Sequence, residues 1–461
     1  MARINLFPRL KGERTHEGAP AARHISPEQQ LRRSVLACML WEDQFYEEGV
    51  AIAGRIRELV AKVPAEKVAA LAVEAREKMK LRHAPLLLVR EMARLATHRH
   101  LVSETLMRVV QRADELSEFV ALYWSEGRQP LSAQVKKGLA AAFTKFDEYS
   151  LAKYNRATPV KLRDVLFLSH AKPVDSAQAE LWKRLVENQL AVPDTWEVAL
   201  SSGGDKLQAW ERLLAEKKLG ALALLRNLRN MDEAKVPDQA IRDGLAKMKT
   251  ERVLPFRFIA AARHAPKWEA QLEQAMFRSL EAQPRLPGKT VLVVDTSGSM
   301  YGSGNVSRRS DMTRVDAAAA LAVMLREVCA QPVIYCTAGN DLTRIHATAL
   351  VPPRRGFALA SAITGNEMRS KIGGGGIFLV QCLDYIYERE SHADRIIVIT
   401  DEQDCETSGK RPEEANAFGK RNYLINVASY KNGIGYGKWI HIDGWSEAII
   451  DYVNVAEAQL Q

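Results

Sequence analysis

Asp295-Thr296-Ser297-Gly298-Ser299 places a carboxylate and two hydroxyls on alternate positions directly after an apolar run, Thr290–Asp295 (TVLVVD). A second carboxylate, Asp401, follows another apolar run, Arg395–Thr400 (RIIVIT). In open α/β sheets ligands bind beyond the carboxyl ends of the strands, so both acids belong to one edge. Carboxylates with hydroxyls form a hard, all-oxygen set that suits Mg²⁺ or Mn²⁺ and not Zn²⁺. Incomplete protein coordination leaves a position for an acidic ligand. Asp295, Ser297, Ser299 and Asp401 are therefore the candidate metal ligands. A nucleophilic serine here would need the G-x-S-x-G elbow, and DTSGSM lacks its first glycine. The glycine run Gly373–Gly376 is not followed by the Lys-Ser/Thr of a phosphate loop.

A second constellation lies in LAKYNRATPVKLRDVLFLSHAKP, residues 151–173. Lys153 and Arg156 are spaced by one helical turn, which predicts a shared face. His170 follows an amphipathic helix and precedes the helix-ending Lys172-Pro173. Cationic side chains contact phosphates, and an imidazole stacks on or hydrogen-bonds to a base. The plain alternative is a solvated helix face with a structural histidine. Residues 1–287 show no general base, nucleophile or nuclease-type carboxylate cluster, so a noncatalytic role is expected. Arg308 and Arg309, in the loop 303–310 beside the cation motif, could touch RNA or a partner, or simply be solvated.

The elements that must carry these residues change character along the chain. The 461 residues, 47% of them hydrophobic, suffice for two to four units. Residues 1–25 lack an apolar period and read as an arm. From about 26 to 287 the pattern is helical. Leu88, Met92 and Leu95 form one stripe; Leu106, Val109, Val110, Ala113, Leu116 and Val120 predict one face over several turns; Val135, Leu139, Ala142, Phe143 and Phe146 form a third. Many short amphipathic helices imply a bundle or a stacked array, and no fixed-period repeat decides between them. After the linker 283–288, strands alternate with helices: Thr290–Asp295, Pro332–Cys336, Arg395–Thr400 and Tyr423–Val427 as strands, Val315–Val328 and Phe378–Glu388 as helices, Ser446–Val453 as a closing helix. Residues 288–461 are thus expected to form a doubly wound α/β domain.

Charge follows the same division. Residues 288–461 hold 18 Lys+Arg and 20 Asp+Glu; of the chain's 65 and 56 this leaves 47 and 36, so 1–287 carries +11. Such a surplus suits a polyanion partner as well as an ordinary basic protein. Five cysteines without metal spacing, no signal-peptide core and no apolar run of membrane length predict a soluble cytoplasmic protein with reduced thiols.

DTSGS after an apolar strand resembles the metal-ion-dependent adhesion site of von Willebrand factor A domains, and IVITDE matches the same family in the expected order. That family places a threonine where Gly375 stands here, and Thr364 is the nearest possible substitute. LAKYNR…LFLSHAKP resembles the TROVE module of the Ro family, as do LRRSVLACMLWEDQFY (31–46), LALLRNLRNM (222–231) and VLPFRFIAAA (253–262). The resemblance implies a ring of HEAT-like helical repeats followed by an A domain. It implies small noncoding Y RNA on the basic outer surface and single-stranded 3′ ends of misfolded RNAs in the central hole. It also implies cooperation with 3′→5′ exoribonucleases, and Lys153, Arg156 and His170 as RNA contacts. A monomer is expected. The competing expectation is an adaptor whose A domain captures an acidic partner residue through its cation.

Overall fold

The structure, a computed structural model, describes residues 26–36, 49–78, 81–201, 204–250, 253, 255–281, 283–301, 312–406, 408–415, 418, 421–428, 434 and 439–443, with 449, 453 and 457. The expected arm 1–25, the loop 303–310 and nearly all of the expected closing helix lie outside these residues.

From Pro27 to Glu281 the described residues form sixteen α-helices. Many of them pack on neighbours one and two places along the chain: Ala65–Glu77 contacts both His83–Arg94 and Arg99–Val109, and Asp238–Lys247 contacts both Ala221–Glu233 and Glu269–Glu281. This two-layer stacking is HEAT-like, with degenerate repeats that leave no period in the sequence. A first core runs from Leu31 to Leu185 and takes in the three stripes of apolar residues.

One stripe differs from its prediction. Leu106–Val120 is two helices, Arg99–Val109 and Asp114–Tyr123, with Val110 extended between them. Charged side chains distant in sequence satisfy the broken ends. Arg76 Nε donates to the Val109 carbonyl at 3.0 Å, and Lys145 Nζ donates to the carbonyls of Met107 and Val110. Glu115 Oε2 accepts from the backbone N–H groups of Gln111 and Arg112 at 2.8 and 3.0 Å, while its Oε1 pairs with Arg76 Nη2 at 2.6 Å. The apolar period continues across a chain break in direction because both helices face the same core.

The sheet has six strands: β1 Leu286–Asp295, β2 Cys329–Asn340, β3 Ile345–Leu350, β4 Arg395–Thr400, β5 Asn422–Asn426 and β6 Ile440–Asp443. Their order is β3-β2-β1-β4-β5-β6, parallel except for β3 against β2. Period-two alternation sorts β1 between two faces. Leu292 and Val294 join the core shared with the last helices and with Arg314–Val328, whereas Val291 and Val293 pack with Leu379, Leu383, Ile396 and Val398. The second half of the helical array, from Trp210 to Leu280, and one face of the sheet therefore share a hydrophobic core. Polar ties reinforce it: Arg263 Nη1 donates to Asp316 Oδ2 at 2.9 Å, and Glu273 Oε1 accepts from Phe357 N–H at 2.8 Å. At the far end of the array, Arg33 on the first helix, Pro27–Leu36, pairs with Glu402 just beyond β4. The array begins and ends on the A-type sheet and so closes on itself.

Candidate RNA interface and cation edge

Lys153 occupies the last turn of the helix Glu148–Tyr154, which Asp147 caps by accepting from Ser150 N–H at 2.8 Å. The helix stops there, so the one-turn relation predicted for Lys153 and Arg156 does not hold. Arg156 lies beyond the end, its N–H donating to the Tyr154 carbonyl at 2.9 Å. The two cations instead meet on the Tyr154 ring. Lys153 Nζ is 5.8 Å and Arg156 Cζ 5.9 Å from its centroid, and Arg112 Cζ, held by Asp114 at 2.8 Å, is 4.7 Å from it. Lys153 Nζ also lies 5.8 Å from the ring of Tyr149. An aromatic face ringed by cations binds a phosphate backbone and a stacked base together.

His170 ends the helix Leu162–Ser169 in the left-handed region, φ 53° and ψ 38°. That conformation is uncommon for a residue with a Cβ, and it leaves the imidazole exposed. The ring opens on a cleft of about 490 Å³ lined by Trp124, Arg128, Gln129, Lys136 and Phe167 among others, but by neither Lys153 nor Arg156. Phe167 is 60% exposed there, and Arg128 Cζ stacks 4.8 Å over Trp124. The expected RNA residues thus fall into a Lys153–Arg156 cluster and a separate His170 cleft. Sequence reasoning missed Tyr149, Tyr154, Trp124 and Phe167. The available signal was aromatic residues interleaved with the basic ones.

At the sheet edge, β1 and β4 bring Asp295 and Asp401 together as expected, both buried. Asp295 Oδ1 accepts from Ser297 N–H at 2.8 Å and Oδ2 from Thr400 Oγ1 at 2.6 Å. Ser297 Oγ and Ser299 Oγ lie 3.3 Å apart. Burial, and then the charge of Asp401, push the Asp295 carboxyl well above the usual carboxylate range. Gly375 fills the place of a third hydroxyl with backbone. Its carbonyl accepts from Gly298 N–H at 3.0 Å, its N–H donates to the Gly339 carbonyl at 3.2 Å, and a Cβ there would lie 2.7 Å from that carbonyl oxygen. Thr364 does not substitute, because its hydroxyl donates to the Ala360 carbonyl of its own helix at 3.1 Å. Arg314 Nη1 lies 3.6 Å from Asp401 Oδ2. Each oxygen of Asp295 accepts one hydrogen bond from the protein, Asp401 faces a guanidinium, and the third hydroxyl is absent. This donor set does not fit the near-octahedral demand of Mg²⁺. Among the described residues, no group of three or more His, Cys, Asp and Glu is placed to hold a metal ion.

The described residues therefore build a HEAT-like helical array closed by an A-type sheet, with cation-ringed aromatics on the array. The comparisons agree: residues 159–353 match the TROVE domain. The crystal structure of the Ro (RSR) protein of Deinococcus radiodurans superposes with a TM-score of 0.63 over 94% of this chain and 100% of that one, at 18% identity. Telomerase protein component 1 of Mus musculus is 30% identical over 164 residues, and that of Rattus norvegicus 28% over 168. Each match covers 34% of this chain and 6% of the relative. Residues 159–353 are thus similar to the TROVE domain, and the chain shares the fold of a Ro protein.

Proposed function

We propose that this protein is a noncatalytic cytoplasmic scaffold that holds small noncoding, Y-like RNA on the basic outer surface of its helical ring. In this reading, single-stranded 3′ ends of misfolded or immature RNAs enter the ring, and a 3′→5′ exoribonuclease acts on what the scaffold presents. The chain works as a monomer. The supporting observation is Tyr154 with Lys153, Arg156 and Arg112 all within 6 Å of its ring centroid. Solvated lysines and arginines have no need of a shared aromatic platform, whereas a single strand uses both its π-face and the charge around it. The His170 cleft offers a second aromatic and cationic surface of the same kind.

The test is binding of a Y-like RNA to the full chain and to a Lys153→Ala/His170→Ala variant. The variant is expected to keep its Tm and lose affinity. If six to ten phosphates are contacted, wild-type affinity falls by about 10³–10⁵ between roughly 50 and 200 mM salt. Unchanged affinity in a folded double variant removes the site assignment. Purification of the wild-type chain free of nucleic acid, with a stoichiometric protein partner, would support the adaptor reading instead.

A further inference from the structure

We infer that the A-type edge of this chain supplies its own cation, Arg314, and is built to function without a divalent ion. Arg314 is the first residue of the helix Arg314–Val328 and is only 4% exposed. A helix N-terminus carries partial positive charge, so it is an unfavourable place for a buried guanidinium. An arginine does not escape that cost by losing its proton. It persists there only where carboxylates face it, and Asp401 does so at 3.6 Å. The same pairing sets a fixed positive charge beside the second acid of the DTSGS…TD constellation.

The other donors point the same way. Asp295 is held by Thr400 Oγ1 and Ser297 N–H, one hydrogen bond to each of its oxygens, which fixes the carboxylate without an ion. The third-hydroxyl position is not merely a glycine. It is closed by the backbone of Gly339, Gly375 and Gly298, and leaves no room for a side chain. A divalent ion ligated by Asp401 would sit against a fixed positive charge and lack a hydroxyl on the opposite side. The substitution of glycine for threonine and the presence of arginine are thus two halves of one change. The edge keeps the fold that an A domain needs at its strand ends, with an internal salt bridge where such domains carry an ion.

The experiment uses the full chain, measured for bound metal and for Tm in chelator, in millimolar Mg²⁺ and in millimolar Mn²⁺. The wild type is expected to hold far less than one metal per chain and to show the same Tm in all three. Stoichiometric metal, or a Tm that rises by several degrees with either ion, overturns the inference. Arg314→Met is expected to lower Tm in chelator by roughly 5–10 °C, and to recover part of the loss in Mg²⁺ because the fixed positive charge beside Asp401 is gone. Should that variant fail to fold, Arg314→Lys and the double variant Arg314→Met/Asp401→Asn carry the test. The first retains charge and metal insensitivity; the second removes both partners and recovers most of the wild-type Tm. An Arg314→Met protein as stable in chelator as wild type, or a double variant no better than the single one, also overturns it.

Discussion

Arg33 and Glu402, 369 residues apart, form a fully buried ion pair with His441 against both. His441 Nε2 lies 2.9 Å from Arg33 Nη1 and 2.9 Å from Glu402 Oε1. Burial would raise the Glu402 carboxyl, but the Arg33 guanidinium and His441 hold it down at about 2. Glu402 follows Asp401 directly, so the end of β4 serves both the internal edge with Arg314 and the junction with the first helix. The HEAT-like array is anchored covalently at β1 and closed noncovalently here.

Removing one partner of this pair should open the ring. Glu402→Gln removes the carboxylate charge beside a buried guanidinium and is expected to cost about 3–5 kcal/mol. A lower Tm and a larger radius of gyration in small-angle scattering are the expected results. A variant with unchanged scattering and Tm would show that apolar packing alone closes the ring.

The break at 110–113 carries a similar prediction. Glu115 satisfies two backbone N–H groups and the Arg76 guanidinium at once, and it is fully buried. Glu115→Gln keeps the shape but removes the charge, and is expected to cost roughly 2–4 kcal/mol. Hydrogen exchange should show the loss first in the helices Arg99–Val109 and Asp114–Tyr123. Uniform loss across the array, with these two helices no more exposed than the rest, would contradict a local capping role.

These two clusters also mark the limits of what the sequence shows. TVLVVD and RIIVIT are legible as strands because burial on both faces makes them continuous apolar runs. β3 is not, since it is an antiparallel edge strand whose residues are all exposed or half-buried and whose ends, Ile345 and Leu350, are exposed. The apolar stripe through Leu106–Val120 is legible as core but not as two helices, because the groups that cap the break, Arg76 and Lys145, come from elsewhere in the chain. Asp295 and Asp401 are legible as neighbours from strand topology. Arg314 beside Asp401 is not, because a helix-start arginine carries no mark of the strand end it will face. The same holds for His170, whose aromatic neighbour Trp124 is brought to it only by packing.

Restoring the hydroxyl of A domains at Gly375 should damage the edge. The Cβ of Gly375→Thr would lie 2.7 Å from the Gly339 carbonyl oxygen and 3.0 Å from Asp341. Overpacking of this kind costs about 1–3 kcal/mol. The expected outcome is a lower Tm with no gain of Mg²⁺ response. A Gly375→Thr protein that is stabilised by Mg²⁺ would show that the missing hydroxyl alone had weakened the site, with Arg314 free to move aside.

His170 allows its structural and functional roles to be separated by one substitution. It sits at φ 53° as the C-cap of Leu162–Ser169, where its N–H reaches the Phe167 carbonyl at 3.2 Å. Glycine adopts this conformation without the Cβ penalty, worth about 1–2 kcal/mol for an L-residue. Glycine also gives back part of that gain through the flexibility of the unfolded chain. His170→Gly is therefore expected to leave Tm unchanged or slightly higher. If the imidazole faces RNA across the cleft with Trp124, Arg128 and Phe167, the same variant loses affinity by roughly 5- to 150-fold, as for the loss of one stacking contact of 1–3 kcal/mol. Phe167→Ala, at a 60% exposed position, should weaken binding in the same direction without disturbing the helix. A stable His170→Gly protein with wild-type RNA affinity would return His170 to a purely structural role and leave the Tyr154 cluster as the only contact surface of the two.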